Sequence, residues 1–183
     1  VTALIFGGIV FYFYAQLPPV ADLLDGRARG SVTLLDRNDR VFAWRGETFG
    51  GQSTAENVSP YLHDAVVATE DKRFYWHYGV SPRGIASAVR INLSEGRGPL
   101  SGNGGSTITQ QYVKNALVGD QRSGIGGLIR KAKELVISTK MSQQWSKDEV
   151  LQAYLNIIYF GRGAYGISAA SQAYFAKPVN ELT

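Results

Sequence analysis

Signals for helix initiation, separated by glycine-rich segments, are the feature that most constrains the fold of this chain. Ser59 precedes Pro60, and proline is favoured at the first position of a helix. Two further starts have the spacing of a capping box, in which two residues satisfy each other's backbone amides: Thr107 with Gln110, and Ser146 with Glu149. Further helices are expected over 82–93, 128–145 and 167–177. The sequence therefore predicts a mainly α fold, with its helical domain over residues 58–183.

A β-prone region precedes the helices. The stretch SVTLLDRNDRVFAWRGE contains two β-prone runs around Asn38 and Asp39, which predicts a small N-terminal β-hairpin. Together with a polar linker, this hairpin is expected to occupy residues 18–57.

The first residues indicate a membrane segment. Val1 to Ala15 carries no charge and is almost wholly apolar, but it is shorter than the roughly 20 residues that cross a bilayer. The aromatic run from Phe11 to Tyr14 suits a membrane interface, and Pro18 follows. We interpret residues 1–17 as a truncated transmembrane anchor. A cleavable signal peptide would need a basic lead and a small-residue cleavage site, and a buried core helix is the third alternative.

Composition excludes several kinds of site. The chain has no cysteine, so disulfides, thiolate zinc sites and a cysteine nucleophile are excluded, and two histidines cannot form a multi-histidine metal site. A net charge of +4 fits nucleic acid, anionic lipid or a phosphate-bearing substrate, but the basic residues lack a nucleic-acid-binding motif. The GRGAYG stretch, 161–166, matches a dinucleotide fingerprint, but a helix and not a strand is predicted before it.

The stretch ATEDKRFYWHYGV combines carboxylates, aromatic residues and a histidine. If the helix that begins at Pro60 continues, then Glu70, Phe74 and His77 lie on one face, while Asp71 points about 100° away. Glu70 would then be partly buried under aromatic side chains, which favours a general base. The alternative is a capped helix end with ordinary solvated charges.

Two other segments allow both a functional and a structural interpretation. In RKAKE, Glu134 lies among Arg130, Lys131 and Lys133, either as part of a phosphate-binding face or as a helix-surface ion pair. In GGSTITQQYVKN, the capping box alone explains Thr107 and Gln110. Yet Thr107, Gln111 and Lys114 share one helical face, and a helix N-terminus can bind an anion.

Taken together, these motifs resemble the glycosyltransferase family 51 domain, which is the peptidoglycan transglycosylase of class A penicillin-binding proteins and of monofunctional transglycosylases. The similar stretches occur in the family's order over roughly Ser59 to Lys177: ATEDKRFYWHYGV, GGSTITQQYVKN, RKAKE, SKDEVLQAYLN and YFGRGAYGISAASQAYFAK. The chain departs from the family's usual residues at Ser87, Ser142 and Gln152. It also ends before the family's domain normally does, so we expect an incomplete domain.

The resemblance implies a lysozyme-like fold that polymerises lipid II. A lipid-linked glycan strand would be the donor, the GlcNAc 4-hydroxyl of lipid II the acceptor, and undecaprenyl pyrophosphate the leaving group. Glu70 and Glu134 match the family's catalytic glutamates, with Glu70 as the base. The substrate-binding residues implied are Asp71, Phe74, His77, Ser106, Thr107, Gln110, Gln111, Lys114, Arg122, Arg130 and Lys133.

The resemblance also implies a setting. It suggests a single-pass protein of the bacterial cytoplasmic membrane, with its catalytic domain on the extracytoplasmic side. Inhibitors of the moenomycin type and cell-wall synthesis or division proteins are implied partners. No cofactor is obligatory and no dedicated metal site is visible, although Mg²⁺ or Mn²⁺ is expected to stimulate.

Two other functions remain open on the sequence. One is a lysozyme-like enzyme that cleaves glycan, against which the Lys/Arg cluster argues. The other is a non-catalytic, membrane-anchored module that binds lipid II or division proteins, for which the departures at Ser142 and Gln152 leave room.

Overall fold

Helices make up most of the described residues in the computed structural model, which describes residues 8, 11–12, 15, 32–38, 41–45, 48–49, 58–98, 105–118 and 124–182. The α-helices of these ranges are α1 (Pro60–Glu70), α2 (Pro82–Ser94), α3 (Ile108–Val113), α4 (Gly124–Gln144), α5 (Lys147–Ile157) and α6 (Ile167–Phe175). The prediction of a mainly α fold is confirmed.

Local capping explains where several helices begin. Both predicted capping boxes are formed, at the starts of α3 and α5. At the second of these, hydrogen bonds from Ser146 lower the pKa of Glu149. Pro60 occupies the first turn of α1 as predicted, but the Ser59 side chain makes no capping hydrogen bond. The sequence signals therefore predicted these helix starts correctly, although α1 begins with proline and without a side-chain cap.

The short helix α3 lies at the centre of the molecule. Its residues Ile108 and Val113 have no exposed surface, and the helix packs against both α4 and α5. Around it the core includes Phe74, Met141 and Leu151, all buried. Because α3 is enclosed in this way, the polar side chains at its start have fixed positions.

Two small sheets accompany the helices. Strands β1 (Val32–Leu35) and β2 (Val41–Arg45) pair antiparallel, while β3 (Thr48–Phe49) pairs in parallel with β4 (Ala164–Tyr165). In the turn after β1, the amide of Asn38 donates to Oδ1 of Asp36 over 2.8 Å.

The predicted anchor, residues 1–17, lies almost entirely outside the described residues. Among the helices that are described, none combines the length and the apolar character needed to cross a membrane.

Helix α1 does not continue past Glu70, which was the condition for Glu70, Phe74 and His77 to share one face. The helix ends at Glu70, and a separate 3₁₀ turn follows at Phe74–Trp76. The chain turns away at Asp71, whose Oδ2 atom accepts from the backbone amide of Ile108 over 3.3 Å and contacts Nε2 of His77 at 2.8 Å. Glu70 is consequently exposed while Phe74 is wholly buried, so the two do not share an aromatic-covered face.

Gly79 is where the chain passes closest to α4. Its φ is +75°, and a Cβ built there would lie 2.2 Å from the backbone oxygen of Ser138. Its carbonyl also accepts from Oγ1 of Thr107 over 2.6 Å, which ties this loop to the start of α3. A side chain at Gly79 would therefore strain the backbone and push two packed segments apart.

We expect Gly79→Ala to lower the free energy of unfolding by about 2–5 kcal/mol, from left-handed backbone strain plus overpacking. Gly96→Ala is the matched control, because Gly96 has a φ of +69° but open space around its Cβ position. That substitution should cost only the backbone strain, about 1–2 kcal/mol. Urea unfolding of both variants measures the difference, and equal losses would contradict the close packing of Gly79 against α4.

The GRGAYG segment forms a turn between α5 and α6. It follows a helix that ends at Ile157, and it contains the short strand β4. A dinucleotide fingerprint requires a preceding strand, so the helix before this segment confirms that the segment is not such a fingerprint.

Candidate functional site

A cavity of about 510 Å³ brings together most of the polar residues singled out in the sequence. The end of α1, the segment before α3, α3 itself and one face of α4 supply its walls. Its lining residues are Thr69, Glu70, Ser106, Gln110, Gln111, Lys114, Arg130, Lys131 and Glu134.

Glu70 stands at the mouth of the cavity. It is the last residue of α1 and is exposed. Its Oε2 atom accepts a hydrogen bond of 2.7 Å from Nε2 of Gln111, and Oε1 of the same amide accepts one of 3.1 Å from the hydroxyl of Tyr154. The carboxylate is thus accessible to a ligand and is also held on one side.

Glu134 is buried deep in the same cavity. Only 1% of its surface is exposed, and its two oxygens contact Arg130 and Lys131 separately. Nζ of Lys131 lies 3.0 Å from Oε2 of Glu134 and donates to Oγ of Ser106 over 2.9 Å. The i,i+4 ion pair between Arg130 and Glu134 is therefore formed as that alternative held, but it does not lie on the helix surface, because the carboxylate is buried.

Positive charge dominates the cavity. Lys114, Arg130 and Lys131 line it together with the two carboxylates, which leaves one net positive charge. Lys114 begins a π-helical turn, Lys114–Val118, and such turns are frequent at functional sites. Together, the three cations suit a larger anion than a single cation would bind.

Gln110 contributes a buried donor. Its Oε1 atom accepts from the amide of Thr107 over 3.0 Å, which completes the capping box. Its Nε2 atom is buried and has no hydrogen-bond partner among the described residues, although the side chain lines the cavity. A ligand oxygen would satisfy that donor.

A second cavity, of about 290 Å³, adjoins the first at Glu70. It shares Thr69 and Glu70 with the first cavity, but most of its wall is apolar or aromatic. The remaining lining residues are Ala65, Val66, Tyr154, Ile158, Tyr159 and Phe160. Glu70 therefore separates a cationic space from an apolar one.

Four of the predicted substrate-binding residues lie behind the cavity and do not line it. The side chains of Asp71 and His77 pair with each other and are only 7% and 8% exposed. Phe74 is wholly buried, and Thr107 is 1% exposed. Nζ of Lys147 donates to the carbonyl of His77 over 2.5 Å and lies 4.6 Å from the centre of the Phe74 ring. These residues join the end of α1 to α3 and so position the wall of the cavity.

Burial lowers the pKa of Lys147, although the nearby Asp71 acts in the opposite direction. Lys147 is therefore one of the residues that position the cavity wall, and its charge does not face the cavity.

One predicted cation does not line the cavity. Lys133 lies on α4 but is not among the lining residues, whereas Lys131, which the sequence placed in the candidate phosphate-binding face but not among the implied substrate-binding residues, is. Helical spacing could have found Lys131, since it is three residues before Glu134 and faces the same side. Arg122 lies outside the described residues.

The chemistry available follows from this geometry. An exposed carboxylate can accept a proton, and three cations around a buried carboxylate can stabilise charge that develops on a departing phosphate. The groups for both functions line the same cavity.

Comparison with known proteins agrees with this chemistry. A protein-family model described as Transglycosylase matches residues 43–183, which is most of the chain. Penicillin-binding protein 1A of Mycolicibacterium smegmatis is 68% identical over 127 residues, which cover 69% of this chain and 16% of that relative.

Two further relatives carry the same name. Penicillin-binding protein 1A of Mycobacterium tuberculosis is 65% identical over 69% of this chain and 15% of its own length. That of Escherichia coli is 39% identical over 96% of this chain and 20% of its own length. The chain thus spans a fifth or less of the length of these relatives.

Proposed function

This chain belongs to the transglycosylase family, the glycosyltransferase family 51 domain of class A penicillin-binding proteins, and we propose that it polymerises lipid II into peptidoglycan glycan strands. The observation that carries the proposal is the cavity in which Glu70 faces Lys114, Arg130 and Lys131. A base on one side and cations on the other are what a glycosyl transfer with a pyrophosphate leaving group requires.

Glu70 is the general base of the proposed reaction. Its carboxylate takes the proton from the 4-hydroxyl of the acceptor GlcNAc as that oxygen bonds to C1 of the donor MurNAc. The bond between C1 and the pyrophosphate oxygen breaks at the same time, and undecaprenyl pyrophosphate leaves with the electron pair. Attack from the face opposite the leaving group inverts the anomeric centre from α to β. The exposure of Glu70 at the end of α1 supports this role, because the acceptor must reach it.

The cations stabilise the leaving group. Lys114, Arg130 and Lys131 bind the pyrophosphate oxygens, and they are in place before negative charge develops there. Glu134 holds Arg130 and Lys131 through its two oxygens, so we assign it to organising the cations. The buried Nε2 atom of Gln110 donates to an oxygen of the donor.

The acceptor lies on the apolar side of Glu70. The second cavity offers the faces of Tyr159 and Phe160, on which the apolar face of a sugar ring packs well. Donor and acceptor then approach Glu70 from its two sides, which brings the hydroxyl and the anomeric carbon together.

The family also suggests the setting of the reaction. We propose a lysozyme-like domain held at the extracytoplasmic face of the bacterial cytoplasmic membrane by residues 1–17, with inhibition by ligands of the moenomycin type. Stimulation by Mg²⁺ or Mn²⁺ stays a prediction. Within the described part of the chain no group of three or more His, Asp or Glu side chains converges, so no residue is assigned to hold such an ion.

The two alternatives have less support. A glycan-cleaving enzyme has no use for three cations beside its base. A non-catalytic module would be favoured if the residues that depart from the family's pattern disrupted the site, but Ser87, Ser142 and Gln152 line neither cavity. Ser142 instead packs beside Gly79, behind the site.

One experiment separates the three functions. The full chain in detergent is incubated with lipid II carrying a labelled lipid and, separately, with finished glycan. We expect polymer to form with release of one undecaprenyl pyrophosphate for each linkage, and finished glycan to stay intact. Loss of finished glycan would support the lytic enzyme, and binding of lipid II without release would support the module.

A further inference from the structure

The structure assigns to Tyr154 and Gln111 a role as positioning residues that fix the carboxylate of Glu70 in its working orientation. This inference rests on the proposed function, because it concerns the same base. The observation is the hydrogen-bonded chain from the Tyr154 hydroxyl through the Gln111 amide to Oε2 of Glu70, with distances of 3.1 and 2.7 Å.

The hydrogen bonds that link Tyr154, Gln111 and Glu70 run in one direction. An ionised carboxylate only accepts hydrogen bonds, so the Nε2 end of Gln111 must face Glu70 and its Oε1 end must face a donor. Tyr154 supplies that donor. With the amide reversed, its oxygen would face the carboxylate and the hydrogen bond to Glu70 would be lost.

Tyr154 is suited to act as a permanent donor. It is 2% exposed, and burial raises the pKa of its hydroxyl, with the charge of Glu70 adding to the effect. The hydroxyl therefore keeps its proton throughout the physiological range. Its ring is fixed in the core of the protein, so the position of the donor is fixed as well.

The hydrogen-bonded chain holds one carboxylate oxygen of Glu70 and leaves the other free to contact the acceptor. Oε2 is bonded to Gln111, while no described residue donates to Oε1. An exposed glutamate without such a partner would sample several rotamers, and only some of them direct an oxygen at the acceptor hydroxyl. Holding Oε2 thus raises the fraction of molecules that are ready to react.

This assignment gives Gln111 a role besides any contact with the substrate. Its amide oxygen accepts from Tyr154, and one N–H of its amide nitrogen donates to Glu70. Gln110, its neighbour, instead has a buried amide nitrogen with no partner among the described residues. The two adjacent glutamines therefore have different tasks, one holding the base and the other facing the ligand.

A double-mutant cycle in the full chain tests the inference through steady-state kinetics on lipid II. Tyr154→Phe should lower kcat about 2- to 10-fold and leave KM within about twofold, because a hydrogen bond to the base is weakened while the ring, which lines the second cavity, is kept. Gln111→Ala should lower kcat about 10- to 30-fold, since a bond to a charged group is removed. In the double variant Tyr154→Phe should have no further effect, because it acts only through Gln111.

Tyr112→Phe is the matched control. Tyr112 is a second buried tyrosine, 4% exposed, which packs against Trp145 and lines neither cavity. Its kcat should stay within twofold of the wild type. Additive effects of Tyr154→Phe and Gln111→Ala, or a rise in KM with kcat unchanged, would overturn the positioning role.

A second readout does not depend on turnover. The side-chain amide resonances of Gln111, observed in ¹⁵N-labelled full chain, should shift in both Tyr154→Phe and Glu70→Gln, and should not shift in Tyr112→Phe. If neither Tyr154→Phe nor Glu70→Gln shifts these resonances, the hydrogen-bonded chain is wrong, even if the enzyme is active. If they move but the wild type makes no polymer, the proposed function fails and the hydrogen-bonded chain stands.

Discussion

Replacing Glu70 with glutamine should lower the rate of lipid II polymerisation about 10²- to 10⁴-fold, the usual contribution of a general base. Glutamine keeps the size and shape of the side chain, and its oxygen can still accept the hydrogen bond from Gln111. What it cannot do is take a proton from the acceptor hydroxyl. The loss should therefore appear in kcat, measured from labelled polymer on a gel at saturating lipid II, while binding of lipid II is retained.

Glu95→Gln is the control for that experiment. Glu95 is also an exposed glutamate at the end of a helix, but it pairs with Arg97 and lines neither cavity. Its variant should polymerise within about twofold of the wild type, as is usual for a surface site. A Glu70→Gln variant as active as Glu95→Gln would remove Glu70 from the chemistry.

Replacing Lys131 with alanine should lower kcat/KM about 10²-fold, because one of the cations that stabilise the leaving pyrophosphate is lost. The side chain lies between Ser106 and Glu134 in the cavity wall, and 41% of it is exposed to a ligand. The loss should be partly recovered in Lys131→Arg, which keeps the charge. Steady-state polymerisation at several lipid II concentrations measures the effect.

Lys133→Ala is the matched comparison for Lys131→Ala. The two lysines lie two positions apart on α4, but only Lys131 lines the cavity. We expect less than about a threefold loss from Lys133→Ala. If Lys133→Ala instead cost more than Lys131→Ala, the sequence-based assignment would be right and the cavity described above would not be the pyrophosphate site.

The sequence predicted those features that depend on neighbouring residues. The helix starts at Thr107 and Ser146 follow from capping within three residues, and the start at Pro60 follows from proline in the first turn, so their patterns could be recognised directly. The sequence also singled out Glu70 and Glu134, and both line the same cavity. In these cases the local pattern and the tertiary structure agree.

It failed where the outcome depends on distant contacts. The interpretation of Glu70 as partly buried under aromatic side chains required the helix to continue past Glu70, but Asp71 accepts from the amide of Ile108, which is 37 residues away. The burial of Glu134 depends on how α4 is turned against α3, which no pattern within α4 specifies. The bond from Gln111 to Glu70 spans 41 residues and could not be anticipated for the same reason.

The central claim is that this cavity joins lipid II units by an inverting displacement with Glu70 as base. The most direct test incubates the full chain with labelled lipid II and digests the product with a muramidase that cleaves only β-1,4 linkages. We predict long polymer that the muramidase reduces completely to disaccharide units. Failure to form polymer, or polymer that resists the muramidase because its linkages retained the α configuration, would contradict the account.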